Sequence, residues 1–229
     1  MITERLADVQ SRVLAAATHA GRDPKTIELI AVSKTMPESA IQSAIAAGQV
    51  SFGENYVQEA VRKFPAESKA ELRLHLIGHL QSNKSKEAVG FFDVIQTVHK
   101  VELAKKLNTA AEQLGIVQDV MLQVNISKED SKSGVEKTGA EALARSVLEL
   151  PHLRLLGLMI IGSYVDTSAP RSERVAEFVE LRNLRASIER NLGVSLPHLS
   201  MGMSHDFELA IEEGATMVRV GSAIFGGRN

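Results

Sequence analysis

Glu28-Leu29-Ile30-Ala31-Val32-Ser33-Lys34-Thr35 decides how this chain is read. The run is apolar from Leu29 to Val32 and ends on one amine, at Lys34. Met36-Pro37-Glu38 follows at once and opens a helical pattern. There Ala40, Ile41, Ala44 and Ile45 share a face, Pro37 suits the first helical position, and Gly48 stops the run. A short apolar run bounded in this way reads as a strand covered on both faces. Lys34 then sits where a buried strand meets the loop above it. Lysine avoids burial unless it is paired or reactive, and an amine drawn out of water favours its neutral, nucleophilic form. Such a lysine is a candidate to form an imine with an aldehyde cofactor. The plain alternative is a lysine whose stem packs on the strand end while its ammonium reaches water.

The same alternation recurs outward from this point. Strand-like runs are Leu29 to Ser33, Ser51 to Gly53, Arg73 to Ile77, Val94 to Gln96, Val120 to Asn125, Leu153 to Ile160, His198 to Met201 and Met217 to Val220. The second and fourth are the shortest. Helical stripes fall between them, and an extra one, Thr3 to Ala20, precedes the first strand with Leu6, Val9, Val13 and Leu14 on one face. Ser204 can cap the last full helix, with Asp206 and Glu208 in its first turn. Eight βα units point to a single α/β domain over residues 1–229, a (β/α)8 TIM barrel with an added N-terminal helix. An open doubly wound sheet is the alternative that pattern alone leaves standing. Two polar stretches, Ser127 to Gly134 and Ser163 to Ser172, read as loops at the C-terminal face.

Composition narrows the function. The chain has 229 residues, a net charge of -2 and no cysteine. No global basic field favours nucleic acid or an anionic membrane. Disulfides, thiolate metal sites and a thiol nucleophile are excluded. The start, Met1-Ile2-Thr3-Glu4-Arg5, has no signal-peptide core, and no apolar run approaches the ~18 residues of a membrane span. A cytoplasmic protein is expected, and with no long apolar seam, a monomer.

Barrel closure would gather distant residues at one mouth. Lys34 ends strand one, Asn55 follows strand two, and His75 and Gly78 end strand three. Met159 lies near the end of strand six, Ser200 ends strand seven, and Arg219 lies in strand eight. Closure also sets strand one beside strand eight. Two segments then read as a phosphate cup: Leu199-Ser200-Met201-Gly202-Met203-Ser204, and Arg219-Val220-Gly221-Ser222-Ala223-Ile224-Phe225-Gly226-Gly227. An amine near an anion cradle suggests pyridoxal 5′-phosphate. Arg219 would face its ring nitrogen, and a permanently cationic partner keeps that nitrogen unprotonated and weakens the ring as an electron sink. A buried ion pair is the competing reading of Arg219. Gly221 and Gly226 fit no G-x-G-x-x-G or Walker pattern. A metal pair at His75 and His79 is disfavoured by Gly78 between them.

The chain resembles the pyridoxal phosphate homeostasis protein family, which is related to the N-terminal barrel of alanine racemase. The matching pieces are Ala31-Val32-Ser33-Lys34-Thr35, Phe52-Gly53-Glu54-Asn55-Tyr56-Val57-Gln58-Glu59, Ile77-Gly78-His79-Leu80-Gln81-Ser82-Asn83-Lys84, Ser131-Lys132-Ser133-Gly134, Gly157-Leu158-Met159 and both cup segments. The resemblance covers essentially the whole chain. It implies a type III pyridoxal phosphate barrel, with Lys34 forming the imine. Ser200, Gly221 and Ser222 would hold the phosphate, and Arg219 the ring nitrogen. Asn55, His75 and Met159 would line the ring pocket. His79 stands where some relatives have proline, and Ser222 where many have threonine.

The resemblance implies a role in vitamin B6 homeostasis: a carrier, buffer or regulator of the cofactor, with transient handover to apoenzymes and no evident turnover. Two other readings stand beside it. One is a monomeric amino-acid racemase, with Tyr164 as the candidate second base and Tyr56 read as packing. The other is a barrel for a different phosphorylated metabolite. Lys132 could attract a phosphate at the mouth, although a solvated role is simpler.

Overall fold

The computed structural model describes residues 1–65, 71–127, 133–163 and 166–227. Its parallel strands are β1 (Glu28–Val32), β2 (Ser51–Glu54), β3 (Arg73–Leu76), β4 (Val94–Val98), β5 (Gln118–Asn125), β6 (Leu153–Met159), β7 (His198–Ser200) and β8 (Met217–Val220). They pair in sequence order from β1 to β8; β1 pairs with β8 to close the ring. An open doubly wound sheet is thereby excluded. A two-residue piece, Val135–Glu136, adds to the end of β5. The fourth strand runs two residues past its expected end at Gln96, because Val98 pairs with Leu122 beyond a register shift.

Strand alternation divides the core in two. Outward residues such as Ala31, Phe52, Leu74, Ile95, Leu122 and Leu158 pack under the helices in one large cluster. Inward residues Ile30, Val94, Met121, Leu156 and Met217 form a smaller cluster inside the barrel. The helices are α1 (Ile2–His19), α2 (Glu38–Ala46), α3 (Val57–Lys63), α4 (Ser85–Ala88), α5 (Val101–Leu114), α6 (Ala140–Leu148), α7 (Arg171–Leu192), α8 (Phe207–Glu212) and α9 (Ser222–Phe225). Helix α1 buries Leu6, Val9, Val13, Ala16 and Ala17. Leu14, expected on that face, is exposed: it is turned about 100° from Val13, and the two alanines take its place. This helix packs on α8 and α9, where the Arg12 guanidinium bonds Glu208 at 2.7 Å and lies 4.7 Å from the Phe207 ring centroid.

Ser204 does not cap α8. Asp206 takes the N-cap position, and its carboxylate accepts from the Met203 N–H at 2.6 Å. That leaves the Ser204 hydroxyl for the barrel mouth. Among the described residues no helix is long and apolar enough to cross a membrane.

Candidate functional site

The site begins with the parity of β1. Glu28, Ile30 and Val32 point into the barrel, so Lys34 is the next inward position, just beyond the strand end. It lines a cavity of about 650 Å³ at the C-terminal mouth, together with Asn55, Gln123, Arg219, Gly221 and Ser222. Lys34 is half-buried, and its amine makes no hydrogen bond or ion pair among the described residues.

The β1–β8 register sets Ile30 opposite Arg219 and Ala31 opposite Val220. Gly221 therefore comes to rest against Val32, where an added Cβ would lie 3.4 Å from the Val32 carbonyl oxygen and Cβ. That is ordinary van der Waals distance, so contact alone does not demand glycine at the seam between the amine and the cup. In the cup, the N–H groups of Gly221 and Ala223 both donate to the Ser204 hydroxyl, at 3.2 and 3.4 Å. These donors converge on one acceptor at the start of α9, with Ser222 exposed beside them.

Arg219 is buried. One guanidinium nitrogen donates to Ser200 Oγ and another to the Ile160 carbonyl, both at 2.6 Å. Burial pulls its pKa down to about 10, opposed by the charge of Asp206, so it remains cationic at neutral pH. No carboxylate pairs with it directly among the described residues.

A family profile described as the alanine racemase N-terminal domain matches residues 5–229. The pyridoxal phosphate homeostasis protein of Escherichia coli is 46% identical over 234 aligned positions, spanning 100% of this chain and 97% of the relative. That of Aquifex aeolicus is 43% identical, spanning 98% and 97%. The structure of PipY from Synechococcus elongatus with PLP bound superposes with a TM-score of 0.86 at 38% identity, covering 99% of this chain and 100% of that one. This chain belongs to the pyridoxal phosphate homeostasis proteins, within the alanine racemase N-terminal domain family. An alanine racemase from Clostridium difficile shares the fold at 14% identity and a TM-score of 0.76; this chain covers 57% of it.

Five of the eight residues singled out in the sequence line the cavity: Lys34, Asn55, Arg219, Gly221 and Ser222. His75, Met159 and Ser200 do not. They face inward but lie one layer too deep. Ile77 and Ile161, each two residues beyond His75 and Met159, reach the cavity instead. Ser200 spends its hydroxyl on Gln96 and Arg219, and Ser204 takes the place expected for it in the cup. Gly78 does shape the mouth: a Cβ there would fall 2.3 Å from the Asn55 carbonyl oxygen, so only glycine lets the chain after β3 press on Asn55.

Sequence reading missed Gln123 and took Tyr56 for a packing residue. Gln123 lines the cavity and donates to the Ser133 carbonyl at 2.8 Å, while its buried Oε1 has no partner among the described residues. A glutamine inside the apolar run Val120 to Val124 was the available signal. Tyr56 lines the cavity and is 63% exposed. His79 also lines it and stacks on His99, with ring centroids 4.9 Å apart. Lys132 and Tyr164 lie outside the described residues.

Behind Lys34 is a second lysine. Lys63, at the end of α3, is buried, and its ammonium donates to the Ser33 carbonyl at 2.7 Å, Glu54 Oε1 at 3.0 Å and Glu59 Oε1 at 2.6 Å. The Ser33 hydroxyl donates to Glu54 at 2.6 Å, and the Thr35 N–H donates to Glu59 at 2.6 Å. Thr35 itself is left-handed, with φ of 65°.

Proposed function

We propose that this protein binds pyridoxal 5′-phosphate at the barrel mouth, with Lys34 as the point of covalent attachment, and carries or buffers it without turning over a substrate. One observation carries the reading: an unpartnered lysine amine shares a single cavity with a cup of backbone donors and a donor-only guanidinium. The volume falls in the range of small-molecule sites. When bound, the cofactor supplies an aldehyde, an aromatic ring and a phosphate. Gly221, Ser222, Ala223 and Ser204 would hold the phosphate, Lys34 the aldehyde carbon, and Arg219 would face the ring nitrogen. The orphaned Gln123 oxygen is an acceptor suited to a hydroxyl donor on the ligand.

Several features favour carriage over catalysis. A cationic Arg219 keeps the ring nitrogen unprotonated and makes the ring a poor sink for electrons. The mouth is rimmed by exposed Thr35, Ser222 and His205, which suits handover to apoenzymes. Exposed apolar residues such as Leu14, Leu114 and Leu148 are scattered over different helices, which fits a monomer. The relatives named for homeostasis and the PLP-bound neighbour support the same ligand.

The test begins with the absorption spectrum of purified protein incubated with pyridoxal 5′-phosphate, before and after borohydride, with the modified lysine identified by peptide mass. Attachment at Lys34 is expected. A screen of amino acids for racemisation, transamination and decarboxylation should then stay far below ~1 per second. Because Tyr56 stands at the mouth, an enzymatic reading remains specific enough to check: robust turnover lost in Tyr56→Phe, with attachment intact, would replace the carrier by a racemase-like enzyme.

A further inference from the structure

Beneath the cavity the barrel interior holds a line of buried polar groups. Arg219 Nη1 donates to Ser200 Oγ at 2.6 Å, and the Ser200 hydroxyl donates to Gln96 Oε1 at 2.6 Å. The Gln96 amide nitrogen lies 2.9 Å from His75 Nδ1, and His75 Nε2 lies 3.0 Å from Glu28 Oε1. Ser51 adds a hydrogen bond to the same Glu28 oxygen at 2.6 Å, and Arg73 stands 3.6 Å from the other. Ser200, Gln96 and His75 are wholly buried. The five linked residues come from five strands, β8, β7, β4, β3 and β1. The line runs from the mouth to the opposite end of the barrel, where Glu28, Ser51 and Arg73 border a surface concavity.

Its two ends fix its direction. A guanidinium can only donate, and an ionised carboxylate can only accept. Each group between them can receive from one neighbour and give to the next, and the Gln96 amide nitrogen also donates to Met217 Sδ at 3.6 Å. Ser200 accepts from Arg219, so its proton goes to Gln96 Oε1. Gln96 then presents its amide protons to His75. His75 must accept at Nδ1 and donate from Nε2 to Glu28. With a neutral imidazole, reversing any link sets two donors or two acceptors face to face among buried groups, which is costly.

We propose that Gln96 and His75 are positioning residues for the cofactor site. They hold Ser200, and through it the Arg219 guanidinium, at the cavity wall, with His75 kept as the neutral tautomer protonated on Nε2. The surroundings of the ring nitrogen are thus set from the barrel floor. The inference rests on the reading that the cavity takes pyridoxal 5′-phosphate with Arg219 toward its ring. It gives His75 a part in the site that direct contact does not.

The tautomer is measured first, by 15N NMR of imidazole-labelled protein without cofactor. A neutral Nε2–H pattern for His75 at pH 7 is expected; an Nδ1–H tautomer or an imidazolium would overturn the proposal. The second measurement uses Gln96→Met, which keeps the volume and removes both amide atoms. Borohydride should still fix pyridoxal 5′-phosphate on Lys34. The apparent Kd should rise about tenfold, and the 15N resonance of the ring nitrogen in labelled, bound cofactor should shift.

Gln118→Met is the comparison. Gln118 is also buried, but it bonds the Phe92 and Asp93 carbonyls and stands off the line. It should leave both readouts unchanged. Unaltered binding in Gln96→Met, or equal weakening in both variants, would overturn the proposal. Should Gln96→Met not fold, the His75 tautomer in the unaltered protein still decides. Should borohydride fail to fix the cofactor on Lys34 in the unaltered protein, the functional reading falls while the tautomer result stands by itself.

Discussion

Lys34 and Lys63 lie on opposite faces of one strand end and behave as opposites. Lys63 is the more deeply buried, yet all three of its donors are taken by the Ser33 carbonyl, Glu54 and Glu59. Lys34 is only half-buried and has no partner among the described residues. On the proposed reading, burial does not mark the reactive amine; a free amine facing an open cavity does. An amine whose three N–H donors are all engaged offers no lone pair to a carbonyl carbon.

The two regions are also mechanically joined. The residues on either side of Lys34 are tied into the Lys63 cluster, Ser33 through its carbonyl and hydroxyl, Thr35 through its N–H. Left-handed geometry at a β-branched residue costs roughly 1–2 kcal/mol, and the cluster holds Thr35 there. The turn so formed aims Lys34 inward.

The strongest attempt to break this contrast is Lys34→Ala. Cofactor fixable by borohydride should fall at least a hundredfold by peptide mass, with stability changed by less than about 1 kcal/mol. Label appearing on Lys63 would dissolve the distinction. Lys63→Met comes next. It strands Glu54 and Glu59 without their cation, and urea unfolding should show a loss of about 3–5 kcal/mol. A smaller loss, under ~1 kcal/mol, would mean that the cluster does not hold the turn.

Acid sharpens the contrast between the faces through two glutamates. Burial alone would raise Glu28, inside the barrel, but the hydrogen bonds from His75 and Ser51 and the charge of Arg73 outweigh it and hold it below the ordinary carboxylate range. Its stabilisation is complete above its ordinary value near 4.5 and is lost as pH falls through the lowered folded value. Glu54, on the outer face, is pushed up by burial against its bonds from Ser33 and Lys63, and its Oε2 has no partner among the described residues. Its contribution has the opposite sign, present at low pH and lost as pH rises through the folded value. Thermal melts from pH 6 to 2 should lose most of their acid slope in Glu28→Gln and steepen in Glu54→Gln. The smallest effect is expected of Thr35→Gly. Relief of backbone strain, offset by the extra freedom of glycine when unfolded, should stabilise by less than about 1 kcal/mol and leave attachment at Lys34 intact. A destabilised variant would mean that the Thr35 side chain itself supports the turn.

Much of this was legible in order along the chain. The apolar runs locate all eight barrel strands to within two residues at every end, and β8 runs from Met217 to Val220 as read. The stripe on α1 was legible except at Leu14. What escaped is depth. Nothing in Leu74-His75-Leu76 or Leu158-Met159 says which inward residue forms the floor of a cavity and which lies beneath it. Hydroxyls were no easier: Ser200 and Ser204 are alike on paper, yet one is spent on Arg219 and the other receives the cup donors. Polar residues inside apolar strands, Gln96 and Gln123, were visible but could not be assigned without their partners.

Alternating periodicity and its punctuation are local properties, so the amino-acid order alone was enough for the succession of strands and helices and for an amine at a strand end. Partnership is not local. Whether Lys34 stays free while Lys63 is saturated, and whether His75 touches a ligand or braces Arg219 from below, depends on groups as far as 104 positions apart brought within hydrogen-bond reach by the closed barrel. Hydrogen bonds act over about 3 Å, and only the closed barrel sets which groups come that near.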